Sequence, residues 1–209
     1  MGYVGVKPSA VPLTSADITD GIITSAKIAD GTIVNADINA SASIVASKLS
    51  GAGKVLQVVS TTSNSAQSVN SQSFTELTSL TTSITPSSAS SKILIFGNIN
   101  FTSDTNEALT VVHFRLRRDS TDICQGTGAT GNQLNASVSA LDNDNDAVCG
   151  TAPFSFLDSP NTTSAISYKI MGANWTGASG FKINQPVSPG NDFYAGFVTS
   201  TLTLMEIAG

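Results

Sequence analysis

The sequence predicts a mainly β protein in two parts. A slender front segment of short helix/turn repeats needs copies of itself for support, and an antiparallel β-sandwich, jelly-roll-like, follows it. Ten-residue units recur over residues 15–44, and from Lys54 onward short apolar and polar alternations rich in β-branched residues replace them, with no long helical stripe. The composition is polar without being charged. Only 12% of the 209 residues carry charge, against roughly a quarter in a typical globular protein, while Ser and Thr number 30 and 24.

That composition excludes several classes of function. A net charge of -5 and a pI near 4.6 do not supply the clustered Lys and Arg that neutralise nucleic-acid phosphates. One histidine, His113, and two cysteines, Cys124 and Cys149, leave few parts for metal or triad chemistry. The sequence points to no enzyme and calls for no cofactor. The start, MGYVGVKPSAVPLT, lacks the basic and apolar regions of a signal peptide. Val6 stands where a myristoylation site needs Ser or Thr, and no apolar run approaches the ~18–20 residues of a spanning helix. The expectation is a soluble chain without membrane insertion, leaving a cell, if at all, by a route such as lysis.

The front segment reads SADITDGIIT over residues 15–24, SAKIADGTIV over 25–34 and NADINASASI over 35–44. Ile18, Ile23, Ile28, Ile33 and Ile38 recur every five residues, with Asp20-Gly21 and Asp30-Gly31 between them. Five matches neither the helical period nor the strand period. The unit reads as a short turn of helix around SAKIA, a reversal at Asp-Gly and a short extended piece. Burying one Ile is worth roughly 1.5–3 kcal/mol, whereas ordering each residue's backbone costs roughly 1–2 kcal/mol. One Ile per five residues therefore cannot hold a lone chain, but identical chains wound about an axis can share their isoleucines. In the third unit Ala40-Ser41 replaces Asp-Gly, so the reversal should be lost. Ile38, Ala42, Val45 and Leu49 then follow a coiled-coil seam, with Gly51 at the C-cap position. Ile18, Ile23, Ile28, Ile33, Ile38, Val45 and Leu49 are the candidate interchain contacts; the other reading of residues 1–53 is a disordered low-complexity arm.

Candidate strands behind it are Lys54–Thr62, Ser71–Leu77, Leu80–Thr85, Lys92–Thr102, Leu109–Asp119, Val148–Leu157, Ser164–Trp175, Gly180–Asn184 and Gly196–Ile207, a sandwich or jelly-roll pattern. In Leu109–Asp119, Val112, Phe114 and Leu116 form an apolar face opposite His113, Arg115 and Arg117. Leu94 and Phe96 make Lys92–Thr102 apolar on both faces at its start, which implies a second burial at a subunit interface. Glu206 lies among apolar neighbours and needs a partner, with Arg115 and Arg117 as candidates and exposure to water as the alternative.

Few motifs carry chemistry. Asp142, Asp144 and Asp146 resemble the opening of a calcium loop, but Ala147 replaces its Gly and Pro153 its final Glu. His113 has no neighbouring Cys or His for metal, and no G-x-S-x-G elbow accompanies it. Cys124 and Cys149 bracket a long Gly/Asn/Asp-rich stretch that reads as a loop, and without a secretory signal two free thiols are expected. Asn174 and Trp175, an amide beside the sole tryptophan, read either as a sugar-binding pair or as core.

TSAKIADGTIVNADI running into SASIVASKLSG resembles the shaft repeats of tail-fibre and related fibre proteins of tailed bacteriophages, particularly cyanophages and marine phages. GKVLQVVSTT, SITPSSASSKILIFGNI, FRLRRDST and TLTLMEIAG resemble the C-terminal β domains of such fibres. The resemblance implies a parallel homotrimer in the virion, assembled in the host cytoplasm. Residues 1–14 would attach it to other virion proteins, 15–53 would form a trimeric stalk, and 54–209 a knob. It implies adsorption to a host-surface glycan or outer-membrane protein, with Asn174 and Trp175 as candidate receptor contacts. The alternative is a purely structural head fibre or capsid decoration protein.

Overall fold

In the computed structural model, which describes residues 14–39, 41–42, 54–104, 110–142, 149–175, 180–187, 190 and 196–209, the ten-residue sequence period is also a period of backbone hydrogen bonds. The N–H groups of Asp17, Lys27 and Asp37 donate to the carbonyls of Thr14, Thr24 and Val34 at 3.0, 2.8 and 2.9 Å. They close single turns of 3-10 helix at Ser15–Asp17, Ser25–Lys27 and Asn35–Asp37. Midway between, the N–H groups of Ile22, Thr32 and Ala42 donate to Thr19, Ala29 and Asn39 at 3.1, 3.1 and 2.8 Å. Gly21 and Gly31 adopt φ values of 78° and 76° there, the conformation that Asp-Gly supplies without strain.

Two expectations are corrected. The third reversal is retained: the Ser41 N–H donates to Asn39 Oδ1 at 2.7 Å, an Asx turn that works without glycine. The expected helical stalk is not formed either, since the described residues contain no α-helix. A reversal every ten residues stops each turn before it can reach the ~12–15 residues at which an isolated helix becomes even marginal. The proposed seam helix meets such a turn at Asn39–Ala42; its later members Val45 and Leu49, its cap Gly51 and residues 1–13 lie outside the described residues. Ile18, Ile23, Ile28, Ile33 and Ile38 are 37–55% exposed.

The chain divides into two units, Met1–Ser50 and Gly51–Gly209. The second is built from β1 (Val55–Ser63), β2 (Gln67–Val69), β3 (Thr75–Ile84), β4 (Lys92–Ser103), β5 (Thr110–Arg118), β6 (Thr121–Ile123), β7 (Val138–Asp142), β8 (Gly150–Asp158), β9 (Ile166–Asn174), β10 (Phe181–Ile183) and β11 (Ser200–Ile207). One sheet runs β1-β11-β4-β8, with the short β10 and β2 extending it beyond the end of β11. The other runs β3-β9-β5, and β7 and β6 share the far edge of β5. The pairings among the described residues are antiparallel. Inward residues of both sheets form one core, as in a β-sandwich: Ile93, Ile95, Ile99 and Phe101 of β4, Val112, Phe114 and Leu116 of β5, Tyr168 and Ile170 of β9, Leu202 and Leu204 of β11. Phe114 stands edge-on to Phe101 and Phe181, with centroids 5.6 and 5.5 Å away.

The expected strands Ser71–Leu77 and Leu80–Thr85 are one strand, β3, broken in register between Glu76 and Thr81. The irregularity turns both Leu77 and Leu80 into the core, so period-2 reading splits there. The long stretch between the cysteines is not a plain loop, because β7 inside it pairs with β5. Cys124 and Cys149 are not bridged to one another, and the Cys149 thiol donates toward the Gln185 carbonyl at 3.7 Å.

Glu206 needs neither arginine nor water. It is fully buried, and its carboxylate accepts the Ser87 N–H at 2.7 Å, the Ser87 hydroxyl at 2.6 Å and the Gln57 amide at 2.6 Å. Burial pushes its pKa up, but these donors outweigh it and hold the carboxyl below its ordinary value. Arg118 instead reaches both oxygens of Asp158, at 2.9 and 2.7 Å. The buried Tyr168 hydroxyl donates to the same carboxylate at 2.7 Å; burial and then Asp158 push that phenol well above its ordinary value.

Candidate functional site

The residue types suited to ligand contact gather at one end of the β3-β9-β5-β7 sheet. His113 points outward from β5 opposite Ser139 of β7, and its Nδ1 lies 2.7 Å from the Ser139 hydroxyl. Burial holds this histidine below its ordinary pKa. His113 lines two hollows. One, about 540 Å³, is bounded by Gln72, Asn132, Gln133, Leu134, Asn174 and Trp175. The other, about 560 Å³, runs along the segment 126–136.

That segment is anchored from below. The Arg115 guanidinium donates to the Asn135 carbonyl and at 2.6 Å to Asp122 Oδ2, and it stacks 3.7 Å over the Phe74 ring. Arg117 donates to Asp122 Oδ1 at 2.6 Å. Burial raises the Asp122 pKa, yet the two guanidiniums together bring it below the ordinary carboxylate value. The two arginines of β5 thus share Asp122 and serve as a fixed base for the loop. Above it, the Gly126 N–H donates to the Ala136 carbonyl, the Ala129 N–H to Asn135 Oδ1 and the Thr130 N–H to Gln133 Oε1.

The two residues singled out from sequence have different roles. Asn174 lines the hollow but is fully buried, and it clamps Ser71 in both directions: Asn174 Oδ1 accepts the Ser71 N–H at 3.0 Å, while the Asn174 N–H donates to the Ser71 carbonyl at 2.9 Å. Trp175 stands 53% exposed. Its backbone is held on both sides, the N–H by the Val111 carbonyl at 3.2 Å and the carbonyl by the Gln72 amide at 2.7 Å. The isoleucines from Ile18 to Ile38 belong to the first unit and are not brought together by the single chain.

Gln72, His113, Asn132 and Gln133 escape a sequence reading because the strands that unite them come from distant parts of the chain. The amide-rich GNQLN at 131–135 was the available signal. An indole face can stack on a ring while neighbouring amides offer paired donors and acceptors. Among the described residues no carboxylate or ammonium lines the hollow beside Trp175, so its chemistry suits a neutral, hydroxyl-rich ligand. Among the described residues no three His, Cys, Asp or Glu side chains gather as metal ligands, and no helix is long and apolar enough to cross a membrane. No known family model matches the chain, and no curated protein matches it.

Proposed function

We propose that this chain is a structural fibre protein of a tailed-phage virion, a homotrimer whose β unit adsorbs to a host-surface glycan or outer-membrane protein. One observation carries the reading. The repeats follow a regular backbone path yet leave every isoleucine from Ile18 to Ile38 exposed, and identical chains are the economical cover for such a stripe. The repeated crossing of the chain between the two sheets, at β2–β3, β3–β4, β4–β5, β7–β8, β8–β9 and β9–β10, supports a jelly-roll-like knob. Residues 1–14 would join other virion proteins. The Trp175 hollow would supply a weak receptor contact, multiplied threefold by the trimer.

The test uses the full-length protein on host cells. Labelled protein should bind and compete with phage adsorption, and Trp175→Ala should weaken binding about tenfold, given the ~0.5–1.5 kcal/mol of an aromatic stacking contact and its repetition across the trimer. Periodate treatment of the cells abolishes a glycan receptor, and protease treatment abolishes a protein one. Absence of binding to untreated cells would leave the purely structural head-fibre or decoration role instead.

A further inference from the structure

The sheet β1-β11-β4-β8 turns one face to the core, and its opposite face carries exposed apolar side chains. Residues paired across adjacent strands share a face. The register therefore aligns Val58, Met205, Leu94 and Leu157 in one row spanning four strands. Phe96 stands in the next row, with Ser60, Thr203 and Ser155. Val58, Leu157 and Phe96 are 55, 47 and 43% exposed. Neither row contains an ionisable side chain. The outer face of the other sheet is the reverse: Arg115 and Arg117 pair with Asp122, and Lys169 pairs with Glu76 at 3.2 Å. The two rows are thus bare of charge, while Lys92 and the Lys182–Asp104 ion pair, at 2.7 Å, lie toward the ends of the same sheet.

We infer that second copies of this chain cover the Val58–Met205–Leu94–Leu157 row and Phe96, so that the β units contact one another in addition to the repeats. This deepens the trimer proposed above and rests on that reading of the repeats. Two observations select a copy of the same chain over a foreign partner. First, in a closed symmetric assembly each residue near the axis meets its own counterpart, so any fixed charge there would face its like. The two rows are free of charge, and the hydroxyls of Ser60, Thr203 and Ser155 can each donate or accept toward an identical group. Second, β1 is the next described element after the repeats, and the repeats leave their own isoleucines exposed. One set of identical partners covers both surpluses, whereas a foreign partner on the sheet would leave the isoleucines bare.

The experiment is performed on the full chain with Cys124 and Cys149 replaced by Ser. Phe96→Cys, and separately Ser155→Cys in case the first perturbs folding, should form interchain disulfides on mild oxidation. Ser83→Cys, exposed on the outer face of the ion-paired sheet, should not. In sedimentation, Ile28→Asn with Ile33→Asn should remain associated through the sheet face, and adding Phe96→Lys should release monomers. Failure of both cysteines to cross-link, or monomers already with the isoleucine pair alone, overturns the inference. Neither result depends on host binding, so a failed adsorption experiment and a failed sheet contact are separately visible.

Discussion

Isoleucine meets opposite fates in the two units. Ile93, Ile95 and Ile99 of β4 are fully buried, whereas Ile28, the least exposed of those recurring every five residues from Ile18 to Ile38, is still 37% exposed. The difference lies in where the partners come from. Ile95 pairs with Leu204 on one side and Phe156 on the other, strands far away in sequence that bring a second wall with them. The repeats bond only three residues back, which fixes a path for the chain but encloses nothing. Local hydrogen bonds set direction; only long-range pairing, within a chain or between copies, creates an inside.

The largest effect expected from this contrast is at Phe114, held edge-on between Phe101 and Phe181. Phe114→Ala should cost about 3–5 kcal/mol through the cavity it leaves, measured as a shift of the denaturant midpoint of the β unit. Ile33→Ala should leave that midpoint unmoved. An equal shift from both would mean that the repeats and the sandwich unfold as one body, and the contrast would collapse.

Glu206 sharpens the same comparison with a charge. Its buried carboxylate is stabilised by donors from Ser87 and Gln57. Because its folded pKa lies below the ordinary 4.5, the unfolded chain binds the proton more readily. The stabilisation is therefore complete above that value and is lost as pH falls through the folded pKa. Glu206→Gln should cost about 1.5–3 kcal/mol at neutral pH, the worth of hydrogen bonds to a charged group, and should flatten the acid limb of a stability–pH curve measured by chemical denaturation. An acid limb unchanged by the substitution would assign it to other carboxylates such as Asp122, which shares the direction of shift.

The β architecture was legible because alternation is local: Val112, Phe114 and Leu116 announce their buried face within one strand. β2, β6 and β7 were not, since strands of three to five residues are too short to show a period, and β7 is held by its register with β5. The Leu77–Leu80 irregularity hid one strand as two, because two leucines three apart contradict alternation yet share the core. At the cleft, Trp175 was visible as an isolated aromatic. The role of Asn174 was not, because its bonds to Ser71 cross more than a hundred residues and type alone does not tell a ligand contact from a clamp. Arg115 was visible as a charge but not as the support of Asn135. The repeats were legible as a period of turns and Asp-Gly reversals; the third reversal was not, because an Asx turn at Asn39 replaces the glycine and leaves no Asp-Gly signal.

The smallest effect lies inside the repeats, where three nearly equal turns are capped unequally. Thr14 donates both its N–H, at 2.8 Å, and its hydroxyl, at 2.7 Å, to Asp17 Oδ2, and these bonds hold the Asp17 carboxyl below its ordinary value. In the third turn the Val34 N–H donates to Asp37 Oδ2 at 2.9 Å, with no hydroxyl to add. The middle turn has the threonine, Thr24, but Lys27 where the others have Asp, and its cap residue makes no side-chain bond. Lys27→Asp should restore both bonds, because an acceptor at the third helical position can reach back to the residue before the turn. The Thr24 amide should then exchange more slowly, the introduced carboxylate should titrate below the ordinary 3.8 as Asp17 does, and the denaturant midpoint of the β unit should stay where it was. An unchanged Thr24 exchange rate would mean that packing between chains already holds the turn, and that the caps at Asp17 and Asp37 accompany the repeat geometry without setting it.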